Sequence, residues 1–376
     1  MNRRGFLLTG ATAGLAVAAP SLLRADDVIA SVRGPAIHTV LGPVPPEKLG
    51  VTLMHEHAPT VDWSELYETA PAPVDELRAQ MLATAERQLR PLSAATVDVG
   101  AAAGIVECTP IRVGRYPDLL VETARQSGVH LIACTGFWCE AMAPQHPWAV
   151  RMSVADDGAR QIAALYIREI NEGMEDPAGA WGERFTDVKV GIIKVATSTW
   201  LRPSERRCHE AAVIASRETG CPITTHTTDG GGLEQAELML SLGAAPDKVI
   251  VGHQGFKDDR QNDAAELSHL RLADLGCYVQ FDRVGSPRYP VEAIAQQVQR
   301  LVAAGHAERV LLGHDHVPYV YTKYAQNEKP ADGWQENDSD FTIVPVKLAG
   351  ALADLGVSAE TVRTMLVENP RRVLAF

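Results

Sequence analysis

The amino-acid sequence predicts a single (β/α)8 barrel, and three observations carry that expectation. Eight short apolar runs recur along the chain: Val51–Met54, Gly104–Cys108, His130–Thr135, Val188–Val195, Pro222–Thr225, Lys248–Gly252, Tyr278–Phe281 and Arg309–Gly313. Continuous apolar strands indicate a parallel sheet covered on both faces. Helical periodicity falls between them, at Tyr116–Ser127, Ala159–Glu172, Ser204–Thr219, Gly232–Leu242 and Val291–Ala304. Polar residues also stand at the strand ends, one βα unit apart. Lys194 to His226 is 32 residues, His226 to His253 is 27, His253 to Asp282 is 29 and Asp282 to Asp315 is 33. Such a unit takes roughly 30 residues. His55 to Asp315 is 260 residues, against about 250 in a typical barrel, whose functional residues sit at the C-terminal strand ends. The barrel is expected over residues 35–376, with no second domain. Trp63–Leu77, acidic and proline-containing, reads as a long loop.

The 376 residues are 46% hydrophobic and 22% charged, a globular balance that excludes disorder and collagen-like structure. Thirty-five basic against 47 acidic residues give a formal charge of −12, which argues against a nucleic-acid partner. Six scattered cysteines without a CxxC pair argue against a zinc ribbon or a disulfide framework. At the N-terminus, Arg3 and Arg4 precede a 14-residue apolar run, Phe6–Ala19, too short to span a bilayer. Residues 1–25 are therefore expected to be a Tat-type signal peptide, with an ordinary secretory signal as the alternative. Its removal takes three arginines and no acids, leaving a charge of −15. The expected partner in transit is then the Tat export machinery. The destination is the periplasm or the exterior, without stable membrane association. A homodimer is left open.

Chemistry concentrates at the strand ends. His55-Glu56-His57 follows the first run; residues two apart in an extended chain share a face, so both imidazoles reach one ion. Lys194 lies in Gly191-Ile192-Ile193-Lys194-Val195-Ala196, where desolvation disfavours an ammonium. Either its head reaches water along the strand end, or its amine is neutral enough to be carboxylated into an anion that bridges two cations. His226, His253 and Asp315 end the fifth, sixth and eighth runs. Each alone is an ordinary strand-end polar residue; together they face one mouth. Nitrogen and oxygen donors without thiolate suit zinc first, with cobalt, manganese or iron as alternatives. Four histidines, one aspartate and a bridging anion suffice for two divalent metal ions with open positions.

Several segments resemble motifs of the phosphotriesterase family in the amidohydrolase superfamily. These are Gly50-Val51-Thr52-Leu53-Met54-His55-Glu56-His57, Gly191-Ile192-Ile193-Lys194-Val195-Ala196-Thr197, Thr224-Thr225-His226-Thr227, Val251-Gly252-His253 and Asn369-Pro370-Arg371-Arg372. The similarity runs in family order from about Ile37 to Leu374. It implies a binuclear hydrolase: His55, His57 and Asp315 hold a buried metal, His226 and His253 an exposed one, and carboxylated Lys194 with a hydroxide bridges them. Asp282-Arg283 resembles the Asp-Arg pair of the phosphotriesterase-like lactonases, where the phosphotriesterase branch has histidine in place of Arg283. Trp138, after Thr135-Gly136-Phe137, falls where those lactonases carry an active-site aromatic.

The resemblance implies hydrolysis of lactones or carboxylic esters, with promiscuous phosphotriester cleavage. Asp315, Arg283 and Trp138 are the implied catalytic residues. Phosphotriester cleavage as the main activity is one alternative, and an exported metal-containing barrel without turnover is another. A Schiff-base barrel using Lys194 is a third. One departure stands out: the family's acid three residues after the sixth-strand histidine is replaced by Phe256, with Asp258 or Asp259 as substitutes if two residues are inserted. Alternation points His314 and His316 away from Asp315. Residues 316–341, with Tyr319, Tyr321, Tyr324 and Trp334, read as a long loop over the mouth and the expected substrate lid.

Overall fold

A computed structural model describes residues 34–62, 75–94, 100–138, 145–198, 200–227, 232–255, 262–286, 288–322 and 333–376. The expected signal peptide, with Arg3 and Arg4, lies outside them, as do Cys139, Tyr324, Phe256, Asp258 and Asp259. A hairpin, β1 (Ile37–Thr39) and β2 (Gly42–Val44), leads into β3 (Leu49–Glu56) and the short β4 (Thr60–Asp62). Helix α1 (Asp75–Ala94) follows, then β5 (Ala102–Glu107), α2 (Pro117–Ser127) and β6 (His130–Gly136). Two helices, α3 (Pro147–Ser153) and α4 (Gly158–Asn171), precede β7 (Ile192–Ala196). The alternation then runs α5 (Pro203–Thr219), β8 (Ile223–His226), α6 (Gly232–Ser241), β9 (Val249–Val251), α7 (Asn262–Asp274), β10 (Tyr278–Phe281), α8 (Val291–Ala303) and β11 (Val310–Leu312).

Strands β3 and β5 to β11 pair in parallel in chain order, giving the expected eight-stranded barrel. The strands are apolar throughout because each feeds two cores. Ile192 joins Val106, Ile132, Ile250, Tyr278 and Leu311 inside the barrel, while Ile193 and Val195 pack outward with helix residues such as Ile162, Ala211 and Ala212. Lys194, two residues after Ile192, therefore belongs to the barrel interior. The seam between β3 and β11 is nearly closed rather than laddered among the described residues. It is joined by Asp315 N–H donating to His55 O (2.9 Å) and His57 N–H donating to His316 O (2.9 Å). Gly313 permits that approach, since a Cβ there would lie 2.9 Å from the His55 nitrogen. At the opposite end, Asn369 Nδ2 donates to Val310 O (2.8 Å) and Arg371 Nε to Leu49 O (2.7 Å), so the Asn-Pro-Arg-Arg motif staples the first and last strands.

Two loop expectations are corrected. Asp75–Leu77 opens α1 rather than closing a loop, because Met81, Ala85, Leu89 and Leu92 form a buried helical stripe. Within 316–341, Tyr319–Thr322 and Gly333–Glu336 are strands β12 and β13. With β4 they form a three-stranded sheet, β12 parallel to β4 and antiparallel to β13. The β-branched and aromatic run Tyr319-Val320-Tyr321-Thr322 has strand character, and β4 offers it an edge. No helix of the described residues is long and apolar enough to cross a membrane. Cys108, Cys134, Cys208, Cys221 and Cys277 are buried and form no disulfide among the described residues.

Candidate metal centre and active site

All six residues singled out as ligands or bridge fall at described positions. His55 and His57 leave β3, Lys194 lies within β7, His226 ends β8, His253 follows β9, and Asp315 follows β11. His57 Nε2 is 3.1 Å and His55 Nε2 is 3.8 Å from Asp315 Oδ1, a trio able to hold one metal ion. His253 Nε2 is 2.8 Å from His226 Nδ1, which brings the second pair together. Lys194 is fully buried, and its Nζ is 2.7 Å from His55 Nε2. Gly136, at φ 122°, lets β6 pass so close that a Cβ would lie 1.8 Å from the Lys194 carbonyl oxygen.

The donor chemistry fits divalent metal ions. Burial, aided by Lys194, pushes His55 down to about 3, and burial also lowers His226 and His253. Imidazoles held neutral keep a lone pair for a cation. Burial opposes ionisation of Asp315, but His253, His57, His55 and Arg283 overcome it and hold the carboxyl well below its usual range.

A further layer of acids orients these rings, and the sequence did not reveal it. Asp282 Oδ1 is 2.5 Å from His253 Nδ1, and its Oδ2 is 3.1 Å from His55 Nδ1 and accepts the His253 backbone N–H at 3.2 Å. His55, His253 and Asp282 could themselves be taken for a metal trio. The Nδ1 contacts instead leave both Nε2 atoms turned to the mouth, the arrangement in which a carboxylate fixes the tautomer of a ligating histidine. His57 Nδ1 is likewise 2.9 Å from Thr109 Oγ1, which in turn donates to Glu107. The buried acid in Gly104-Ile105-Val106-Glu107 was the available sequence signal. Backbone strain marks the same place: His253 (φ 56°), Arg283 (64°) and Asp315 (59°) are left-handed non-glycine residues. Such positions cost roughly 1–3 kcal/mol each and cluster at functional sites.

Arg283 and Trp138 both reach this mouth. Arg283 Nε donates to Asp315 Oδ2 at 3.0 Å, an ion pair at the rim of the mouth. Trp138 is buried with its ring centroid 4.8 Å from that of His226. Together with His57, His226 and Asp315 they line a cavity of about 230 Å³. Most of its remaining wall is apolar, with Val61 from β4, Pro110, Val113, Val317 and Val320 from β12, and Asn337 adds one polar group. Val317 and Val320 were missed because their segment was read as loop, and Val61 and Val113 lie outside every run singled out in the sequence. His314 and His316 turn away from the cavity, stacked on each other at 4.9 Å.

The phosphotriesterase family model matches residues 35–374. The chain belongs to that family. A phosphotriesterase homology protein of Mycobacterium tuberculosis is 30% identical over 348 residues, covering 90% of this chain and 97% of that protein. An aryldialkylphosphatase of Saccharolobus solfataricus is 25% identical, covering 86% of this chain and 94% of its own. Among solved structures, a variant of a Deinococcus radiodurans PTE-like lactonase has a TM-score of 0.74 at 29% identity, covering 90% of this chain and 99% of that one. The protein is thus a phosphotriesterase-family hydrolase of small molecules. That family is binuclear and metal-dependent, and the His and Asp groups described above could hold metal.

Proposed function

We propose that the protein hydrolyses lactones or related carboxylic esters, with phosphotriester cleavage as a weaker activity. The observation that carries this reading is the Arg283 guanidinium, lining the cavity beside Asp315. Two divalent ions, zinc first, held by His55, His57 and Asp315 and by His226 and His253 across a carboxylated Lys194, would polarise the carbonyl and supply a deprotonated water near neutral pH.

The chain's own groups then divide the remaining work. Asp315 Oδ1 faces the two β3 histidines, while Oδ2 faces Arg283 and lies 4.0 Å from His253 Nε2. It is placed to accept the proton of the attacking water. Arg283 has Nη donors beyond the Nε atom it gives to Asp315, and these orient the ring oxygen and stabilise the departing alkoxide. Trp138 and the four valines pack on the apolar part of the substrate and exclude water.

Exchanging Arg283 for histidine tests the choice of substrate. A charge-assisted hydrogen bond is worth about 1.5–3 kcal/mol, so lactone kcat/KM should fall about tenfold or more. Phosphotriester kcat/KM should fall less; equal losses on both would remove the basis for the assignment. We also propose export by the Tat route on the strength of Arg3 and Arg4. Changing both to lysine should strand the protein in the cytoplasm, and normal export of that variant would point to the general secretory route.

A further inference from the structure

Glu56 lies between two candidate ligands, His55 and His57, yet its side chain takes no part in the cavity. It is fully buried, and both carboxylate oxygens face the segment that follows β11. Oε1 accepts the His314 backbone N–H at 2.8 Å and lies 3.0 Å from His314 Nδ1. Oε2 accepts the His316 backbone N–H at 3.1 Å. The amide between them, Asp315 N–H, goes to His55 O at 2.9 Å. Three consecutive amides around Asp315 are therefore all received by two consecutive residues of β3. His314 is in turn fixed by Val344 N–H, which donates to its Nε2 at 2.9 Å.

This grip has a physical purpose that seam closure alone does not require. Asp315 sits at φ 59°, a conformation that a non-glycine residue keeps only when its surroundings over-determine it. With free flanking amides, the chain would relax toward extended backbone and swing the carboxylate away from His57. We propose that Glu56 is a positioning residue: its carboxylate clamps the peptide groups on both sides of Asp315, and so sets where the Asp315 carboxylate stands relative to His55 and His57. The proposal rests on the reading of Asp315 as a metal ligand and proton acceptor.

The test uses the full-length protein, measuring zinc affinity by chelator competition, kcat and KM on a lactone, and thermal unfolding of the metal-free protein. Glu56→Gln keeps the shape but can accept only on one oxygen, so one flanking amide is released. It should weaken zinc binding about 10–100-fold, the usual cost of losing a group that orients a ligand. It should also lower kcat with KM nearly unchanged. His314→Phe is the control: it removes the imidazole links to Glu56 and Val344 but leaves both backbone amides. It should lower the unfolding temperature while zinc affinity and kcat stay close to wild type. Wild-type zinc affinity and kcat in a destabilised Glu56→Gln protein would show that Glu56 only closes the barrel. Equal losses of affinity in Glu56→Gln and His314→Phe would overturn the proposal as well. If Glu56→Gln does not fold, Glu56→Asp replaces it. That variant keeps the charge but withdraws the oxygens by one methylene, and unchanged zinc affinity there contradicts the clamp. A wild-type protein that binds zinc but turns over no lactone would fault the functional reading and leave the affinity comparison standing.

Discussion

Lys194→Ala is expected to lose most of the bound metal and essentially all turnover, even when the protein is produced with excess zinc. The residue is fully buried, points into the barrel from β7, and has an imidazole nitrogen at 2.7 Å. A buried ammonium beside a ligating histidine would repel a cation; a carbamate on the same nitrogen attracts two. Metal analysis of purified variant and wild type decides the matter, with mass spectrometry on intact protein reporting the added carboxylate. Full metal retention by the alanine variant would mean that Lys194 is not the bridge.

Asp315→Asn is expected to be the most damaging single substitution that preserves shape. It removes the anionic ligand facing His57 and His55 and the proton acceptor at once, and it leaves Arg283 without its ion-pair partner. Loss of a general base costs about 10²–10⁴ in rate, and weakened metal binding adds to it. Lactone and phosphotriester turnover should fall together, unlike the selective effect expected at Arg283. Retention of more than about a tenth of wild-type kcat on either substrate, with the metal still bound, would remove Asp315 from the chemistry.

The barrel was legible because its strands are apolar on both faces and end in the same kinds of residue. Tyr278–Phe281 was delimited to the residue, and Val310–Leu312 lay within the expected run. The candidate ligands were legible because His55, His226, His253 and Asp315 come just after such runs and Lys194 lies inside one. What the sequence concealed depends on contacts between distant segments. Asp282 was noticed as a strand-end residue and as the neighbour of Arg283, but nothing local says that its oxygens meet His55 and His253. Nothing local says where the Glu56 carboxyl group goes; its partners are His314 and His316, more than 250 positions along. Val61 and Val320 were lost for a similar reason: they sit on β4 and β12, short strands paired with each other, and neither gives the long apolar signal of a barrel strand. Helix α1 is a different case. Its stripe of Met81, Ala85, Leu89 and Leu92 was visible, but Pro91 and the polar remainder of the segment masked it.

The most direct measurement is a substrate panel run on metal-loaded wild-type protein, with kcat/KM determined for lactones of several ring sizes, aryl esters and phosphotriesters. The account predicts that at least one lactone or carboxylic ester is turned over faster than every phosphotriester. It also predicts that chelation abolishes all activities together and that added metal restores them. A phosphotriester faster than any lactone or ester, or activity that survives complete removal of metal, would contradict it.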